Sequence, residues 1–359
     1  MRTFRCDRCG QLVFFENSLC LRCRAPLGFV PSQLRVAALV DDLADARRCA
    51  NLGLAGCNWV VEDADGPGLC RSCGTTAVRP SDGDREGIAQ FATAEAAKRR
   101  ALFQLLDLGL PVDARTLRFE LRSSTYEPVT TGHRAGVITL DLAESDDVRR
   151  ETRRRELGEP YRTTLGHFRH ELGHYYQGIL LAGPEDRERC RALFGDERAD
   201  YRAALERHYS QGPPADWPAR FVSAYATSHP WEDWAETFAH YLHIRDTLQT
   251  AEDFGVHIDG PPPAAAGDGP LLRPAARPQA GVHGFQDLLD AWLPLTYAIN
   301  QLNRSMGNGD LYPFTLSGPA VEKLAFIHGL VCRREPHAGH SAQRSPRMGL
   351  STVRARDRG

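Results

Sequence analysis

The sequence predicts an α+β chain: two small modules held by cysteines, then a mostly helical domain with a small β-sheet. Three observations carry this. Eight of the ten cysteines lie before residue 74. Beyond residue 88, apolar residues recur at helical spacing, interrupted by two short alternating segments. With 359 residues, 42% hydrophobic and 25% charged, the chain has enough length and apolar content for two domains with a sizeable core. The formal net charge is −2, so no global basic field draws the whole molecule onto nucleic acid. No apolar run approaches the length of a membrane span. Met1-Arg2-Thr3-Phe4-Arg5-Cys6 lacks the apolar core of a secretory signal. A cytoplasmic, reducing setting without a membrane partner is therefore expected.

In such a setting, paired CxxC motifs argue for metal rather than disulfides. Cys6-x2-Cys9 and Cys20-x2-Cys23 offer two knuckles of two thiolates each, the pattern of a zinc ribbon closing one tetrahedral site. Gln11 to Asn17 between them reads as a strand and turn, with Phe14 and Phe15 as the module's own small core. Cys49, Cys57, Cys70 and Cys73 make a second quartet, whose first half is irregularly spaced. Disulfides or buried free thiols are the alternatives for both quartets. Segments this small bury too little apolar surface to fold alone, so metal binding would supply folding free energy. Arg2, Arg5, Arg8, Arg22 and Arg24 make the first ribbon basic, which reads as a solvated face or as a contact for nucleic acid. Cys190 and Cys332 stand alone and read as ordinary buried cysteines of helical segments.

Arg79 to Gly87 is polar and rich in chain breakers, which puts a domain boundary there. The division is residues 1–80, then 88–332, then a disordered basic tail at 333–359 holding seven arginines and two acids. A helix runs from Ile88 to Leu108 and stops at Gly109, before Pro111. Leu117–Leu121 and Gly136–Leu142 alternate as strands. A Pro/Ala/Gly loop at about 260–281 is expected to be mobile. Helical patterns return at 285–302 and 319–331.

The chemistry concentrates in His170-Glu171-Leu172-Gly173-His174. Two histidines four apart on a helix project from one face toward one ion. Glu171 beside them is placed to take a proton from the attacking water. Gly173 permits another backbone to approach the helix closely. A catalytic zinc needs a third protein ligand and an open position. Candidates lie on a helix opened by Pro230, where Glu232, Glu236, His240 and His243 share one side.

Taken together, these residues resemble the zinc-binding metallopeptidases that carry an N-terminal double zinc ribbon. The resemblance runs from Phe4-Arg5-Cys6 to about Leu330. It is most specific at Gly158–Arg162, His167–Tyr176, Phe194–Arg198 and His229–Glu236. The catalytic half is also similar to gluzincins, in which a downstream helix supplies a glutamate ligand and a second acid four residues on. The resemblance therefore implies a zincin-like metallopeptidase domain with catalytic zinc on His170, His174 and Glu232. It implies Glu171 as base, Glu236 as the acid that orients a ligand histidine, and Tyr225, seven residues before Glu232, as a catalytic tyrosine. His240 is the rival ligand. Three zinc ions are implied, one catalytic and two structural. The expected substrate is a peptide or protein, held along the strand at Val137–Leu142 taken as a sheet edge. The alternatives are hydrolysis of a non-peptide amide, or an adaptor whose ribbons bind protein or nucleic acid beside an inactive zincin domain.

Overall fold

The computed structural model of the chain describes residues 2–43, 46–62, 68–125, 127–146, 149–152, 162–258 and 284–334. The Pro/Ala/Gly loop at 260–281, Gly158 to Tyr161, and the tail from 335 onward lie outside these residues.

The cysteine knuckles close their turns in the same way. The Gly10 N–H donates to the Cys6 carbonyl at 2.7 Å, Arg24 to Cys20 at 2.9 Å, and Gly74 to Cys70 at 2.8 Å. The residue after the second cysteine has φ +71° at Gly10 and φ +61° at Arg24. Glycine adopts this left-handed backbone without steric cost, and arginine does not. β1 (Phe4–Arg5) and β2 (Leu12–Val13) pair antiparallel around the first knuckle. β3 (Leu27–Val30) pairs with β4 (Arg35–Ala38) beyond the second.

The expected private core of the first ribbon does not exist. In the turn just after β2, Phe15 is buried while Phe14 is 48% exposed. Phe15 packs 5.0 Å from Phe29 and 5.0 Å from Phe103, and Phe29 lies 4.7 Å from Trp59. Phe103 belongs to α1 (Arg85–Asp107), beyond the polar linker. Both ribbons and the helical part thus share one continuous core. The Asn58 amide donates to the Phe15 and Asn17 carbonyls, stitching the first module to the second.

The sheet also crosses the linker. β5 (Thr76–Val78), directly after Cys73, lies parallel to β6 (Arg118–Arg122). β6 lies parallel to β8 (Val137–Asp141), and β7 (Gly132–Arg134) runs antiparallel on the far side of β8, giving the order β5-β6-β8-β7. Val137–Leu142 is therefore not the sheet edge. The tight turn at Ala135-Gly136, φ +49° and +82°, folds β7 back over it and makes β7 the edge. Phe119, Leu121, Ile138 and Leu140 face a core that includes Phe168 of α2 (Thr164–Leu180).

Helix α2 starts at a capping threonine: Thr163 Oγ1 accepts from the Gly166 N–H at 3.0 Å. α3 (Pro184–Phe194), α4 (Tyr201–Gln211), α5 (Pro230–Asp253), α6 (Phe285–Ser305) and α7 (Gly318–Cys332) follow. Pro230 opens α5 at its first turn, where no N–H partner is needed. α2 and α5 cross at Gly173. A Cβ there would lie 2.9 Å from Ala235 Cα and 3.0 Å from its carbonyl oxygen. Trp234 Nε1 seals the crossing by donating to the Gly173 carbonyl at 2.9 Å. Buried Arg169 joins both helices to α1, through Asp246 at 2.6 Å and Gln104 at 3.3 Å. Among the described residues, no helix is long and apolar enough to cross a membrane.

Candidate metal centres and candidate active site

The first eight cysteines assemble into two clusters, Cys6/Cys9/Cys20/Cys23 and Cys49/Cys57/Cys70/Cys73. Sulfurs about 2.3 Å from one ion stand about 3.8 Å apart at the corners of a tetrahedron. Cys6 and Cys23 are 3.7 Å apart, Cys9 and Cys20 3.6 Å, and Cys57 and Cys70 3.5 Å. All ten cysteines are free of disulfides, and both quartets fit zinc. The second is tied to α1. Cys73 Sγ lies 3.7 Å from Glu95 Oε2, and Lys98 Nζ donates to Glu95 Oε1 at 2.6 Å. Glu95 and Lys98 are fully buried.

The helix crossing at Gly173 presses the first turns of α5 against the middle of α2. His170, His174 and Glu232 each bring one ligand atom to a common point, all within 4.8 Å of one another. The Nε2 atoms of the two histidines are 3.2 Å apart, and Glu232 Oε2 is 3.0 Å from that of His170 and 3.4 Å from that of His174. Nitrogen and oxygen ligands about 2.0–2.1 Å from a tetrahedral zinc stand about 3.3 Å apart. Glu232 is 2% exposed, and among the described residues its buried Oε2 has no hydrogen-bond partner. A buried orphan carboxylate oxygen beside two facing ring nitrogens suits a cation.

His170 is oriented from behind. Its Nδ1 lies 2.6 Å from Glu236 Oε1, and an ionised carboxylate only accepts, so Nδ1 carries a proton and Nε2 is the ring atom left to face an ion. Glu236 is held in turn by Ser223 Oγ, which donates to Oε2 at 2.6 Å. Burial alone would raise the Glu236 pKa, but the His170 contact outweighs it and holds the carboxyl down at about 2. Burial likewise opposes a proton on His170. Glu232 and Glu236 overturn that and raise its pKa well above the usual value, marking a pocket with negative potential.

Tyr225 sits in a short turn before α5, its ring 5.9 Å from that of His170. Burial first, then Glu232 and Tyr201, push its phenol pKa upward, so it stays protonated and able to donate. Glu171 is 8% exposed, and its Oε2 has no hydrogen-bond partner among the described residues. The rival ligand His240 points elsewhere: its Nδ1 is 2.7 Å from the Tyr312 hydroxyl. His167 pairs with Glu144 at 2.5 Å and is not in the cluster.

Family models match almost the whole chain. Residues 87–330 match the family described as "Putative zinc-binding metallo-peptidase", and residues 3–84 match a zinc-ribbon domain. The chain belongs to this metallopeptidase family. Uncharacterized proteins of Mycobacterium bovis and of two strains of Mycobacterium tuberculosis are each 52% identical over 338 residues, 92% of this chain and 95% of the relative. No solved structure matches.

Within this member of the zinc-binding metallopeptidase family, the site holds residues that sequence reasoning missed. The Trp231 ring packs 4.3 Å from that of His174, and the ring of His133 of β7 stacks at 6.3 Å. The Tyr201 hydroxyl donates to Glu232 Oε1 at 2.8 Å. His229 caps α5 by accepting from the Trp231 N–H at 3.0 Å, and its Nε2 donates to the Ala199 carbonyl at 3.1 Å. Trp231 and His229 flank the motif in sequence, and their density of rings was a usable signal. Tyr201, Ser223 and His133 carried none.

Proposed function

We propose that the protein is a zinc-dependent metallopeptidase that hydrolyses peptide bonds. The observation that carries this reading is the convergence of one ligand atom each from His170, His174 and Glu232, all within 4.8 Å of one another, with Glu171 next to His170 in the chain. Zinc bound to those three side chains supplies Lewis acidity, activating water and polarising the scissile carbonyl. Glu171 takes the proton of the attacking water and returns it to the leaving amine. The protonated Tyr225 phenol donates to the developing oxyanion. Glu236, braced by Ser223, fixes the tautomer of His170 so that Nε2 keeps its lone pair. The extended substrate adds along the free edge of β7, and its main chain pairs there as a further strand. Two further zinc ions are structural and close the cysteine quartets. A cytoplasmic location is part of the same proposal, supported by thiols at metal spacing in place of disulfides.

The test is identification of new protein N-termini after incubation of a proteome with the protein and with its Glu171→Gln form. Cleavages seen only with the parent are the expected result. An identical set from both would remove the peptidase reading and leave hydrolysis of a non-peptide amide as the alternative for this site.

One observation favours a second reading. The first ribbon exposes Leu12, Phe14 and Leu21 beside exposed Arg5, Arg8, Arg22 and Arg24. Apolar and basic side chains together suit a nucleic-acid or protein partner, which would make the ribbons an adaptor. A salt-sensitive mobility shift of single-stranded nucleic acid by the whole chain tests this. The whole chain is needed because residues before 80 share their core with α1.

A further inference from the structure

Glu232 has two oxygens and only one faces the histidines. Oε2 is 3.0 Å from His170 Nε2 and 3.4 Å from His174 Nε2. Oε1 accepts the Tyr201 hydroxyl at 2.8 Å. A carboxylate with both oxygens free can turn and present both to an ion, filling a position that water or substrate needs. One with Oε1 already engaged presents Oε2 alone.

Tyr201 is itself braced. Its ring lies 5.2 Å from His229 and 5.6 Å from Trp231, both edge-to-face, and Trp231 packs on His174. His229 in turn holds the Ala199 carbonyl just before α4. Tyr201 opens α4, where Ala204 is the one buried side chain. The helix thus has little apolar anchorage, and it meets the site through the Tyr201 contact to Glu232 and through His208, whose ring lies 5.9 Å from that of Tyr225.

From this arrangement we propose that Tyr201 is a positioning residue for Glu232: its hydroxyl commits Glu232 to one-oxygen ligation and seats α4 beside the metal site. This rests on the metallopeptidase reading only for the identity of the ion and ligands. The hydroxyl is separable from the ring because the ring makes the packing contacts and the residue is 37% exposed. Tyr201→Phe therefore removes the hydrogen bond and keeps the packing.

The experiment measures metal at this site in the whole chain, with both cysteine quartets loaded. Zinc affinity is read by competition with a chromophoric chelator, and geometry by the visible spectrum after cobalt is placed in the histidine site. Tyr201→Phe is expected to weaken zinc by about 10–100-fold. Its cobalt absorption should weaken as well, as the freed carboxylate adds its second oxygen and coordination number rises. Tyr201→Gln, which keeps a donor, is expected to recover most of the affinity lost in Tyr201→Phe. A Tyr201→Phe protein with parental affinity and spectrum overturns the proposal. So does a Tyr201→Gln protein that, with its cysteine-bound zinc retained, is as weak as Tyr201→Phe. Neither readout requires hydrolysis, so failure of the peptidase reading and failure of the Tyr201 role are distinguishable.

Discussion

Glu236 Oε1 lies 2.6 Å from Nδ1 of His170, on the opposite side of the ring from the nitrogen that faces Glu232. The two glutamates of one helix therefore meet the same imidazole at its two different nitrogens. This sets their expected phenotypes apart. Glu232→Ala removes a proposed ligand, and the protein should lose zinc from the histidine site. Glu236→Ala should retain it with affinity about 10–100-fold weaker. Ser223→Ala, one bond further out, should show a smaller loss in the same direction. Zinc content and chelator competition on the three variants check the order. Equal loss from Glu232→Ala and Glu236→Ala would remove the distinction.

Glu171 and Tyr225 should separate chemistry from metal binding. Glu171→Gln keeps the size and polarity of the side chain but not its basicity. It should hold zinc as the parent does and show no hydrolysis. Tyr225→Phe should also keep its zinc and turn over roughly 100-fold more slowly, the order of loss for one oxyanion donor. Metal analysis beside single-turnover rates tests both. Loss of zinc from Glu171→Gln would mean that it holds the metal.

The cysteine site nearest the sheet should support more than its own module. Cys73 precedes β5 and contacts Glu95 of α1, whose Phe103 packs with Phe15 and Phe29. Cys70→Ala should therefore lower helix content and release zinc from the histidine site too. Mild chelation of the parent should act in reverse order, since a three-ligand site with an open position yields its ion before closed cysteine sites. Circular dichroism followed alongside stepwise metal release gives the sequence of events. A Cys70→Ala protein with native helix content and histidine-site zinc would show the modules to be independent.

Two glycines of α2 make a controlled pair. Gly173→Ala places a methyl 2.9 Å from the Ala235 backbone, which has nowhere to move within a helix crossing. The cost should be about 1–3 kcal/mol, as for overpacking elsewhere. Gly178, in the same helix, has nothing within 4 Å of an added Cβ. Gly178→Ala should be neutral or should stabilise by up to about 1 kcal/mol through helix propensity. Thermal melts of the two variants are sufficient. Similar shifts would mean that the crossing is not as tight as its distances state.

Acid sensitivity has an identifiable contributor away from the metal sites. His328 is 6% exposed, and burial, then Arg245, lowers its pKa from 6.5 to about 4. The unfolded ring takes a proton near its ordinary value of about 6.5. The unfolded state therefore binds more protons in the interval between the two values. This contribution to stability is fully present above about pH 6.5 and is lost as pH falls toward about 4. His328→Phe should flatten that part of the melting-temperature profile relative to the parent. Zinc loss at low pH affects both proteins alike, so their difference isolates the ring. Parallel profiles would exclude it.

The sequence by itself determined what depends on short spacings. Four residues is about one helical turn, so His170 and His174 had to share a face wherever α2 went. A CxxC knuckle is likewise a local turn, and its N–H bonds back to the first cysteine are made within five residues. Pro230 and Gly173 spoke through backbone sterics, which need no partner to be read. Tertiary structure alone decided what depends on elements meeting from afar. Spacing alone does not distinguish Glu232 from Glu236 or His240 on one helix stripe; only the resemblance pointed to Glu232. The crossing angle at Gly173 and Ala235 selects which of them nears the histidines. β7 rather than β8 became the edge because strand order is set by pairing across the sheet, not by alternation along one strand. Tyr201 reaches Glu232 across 31 residues, and Phe15 finds its core on α1 because a ribbon with so little apolar surface has to bury it against a neighbour.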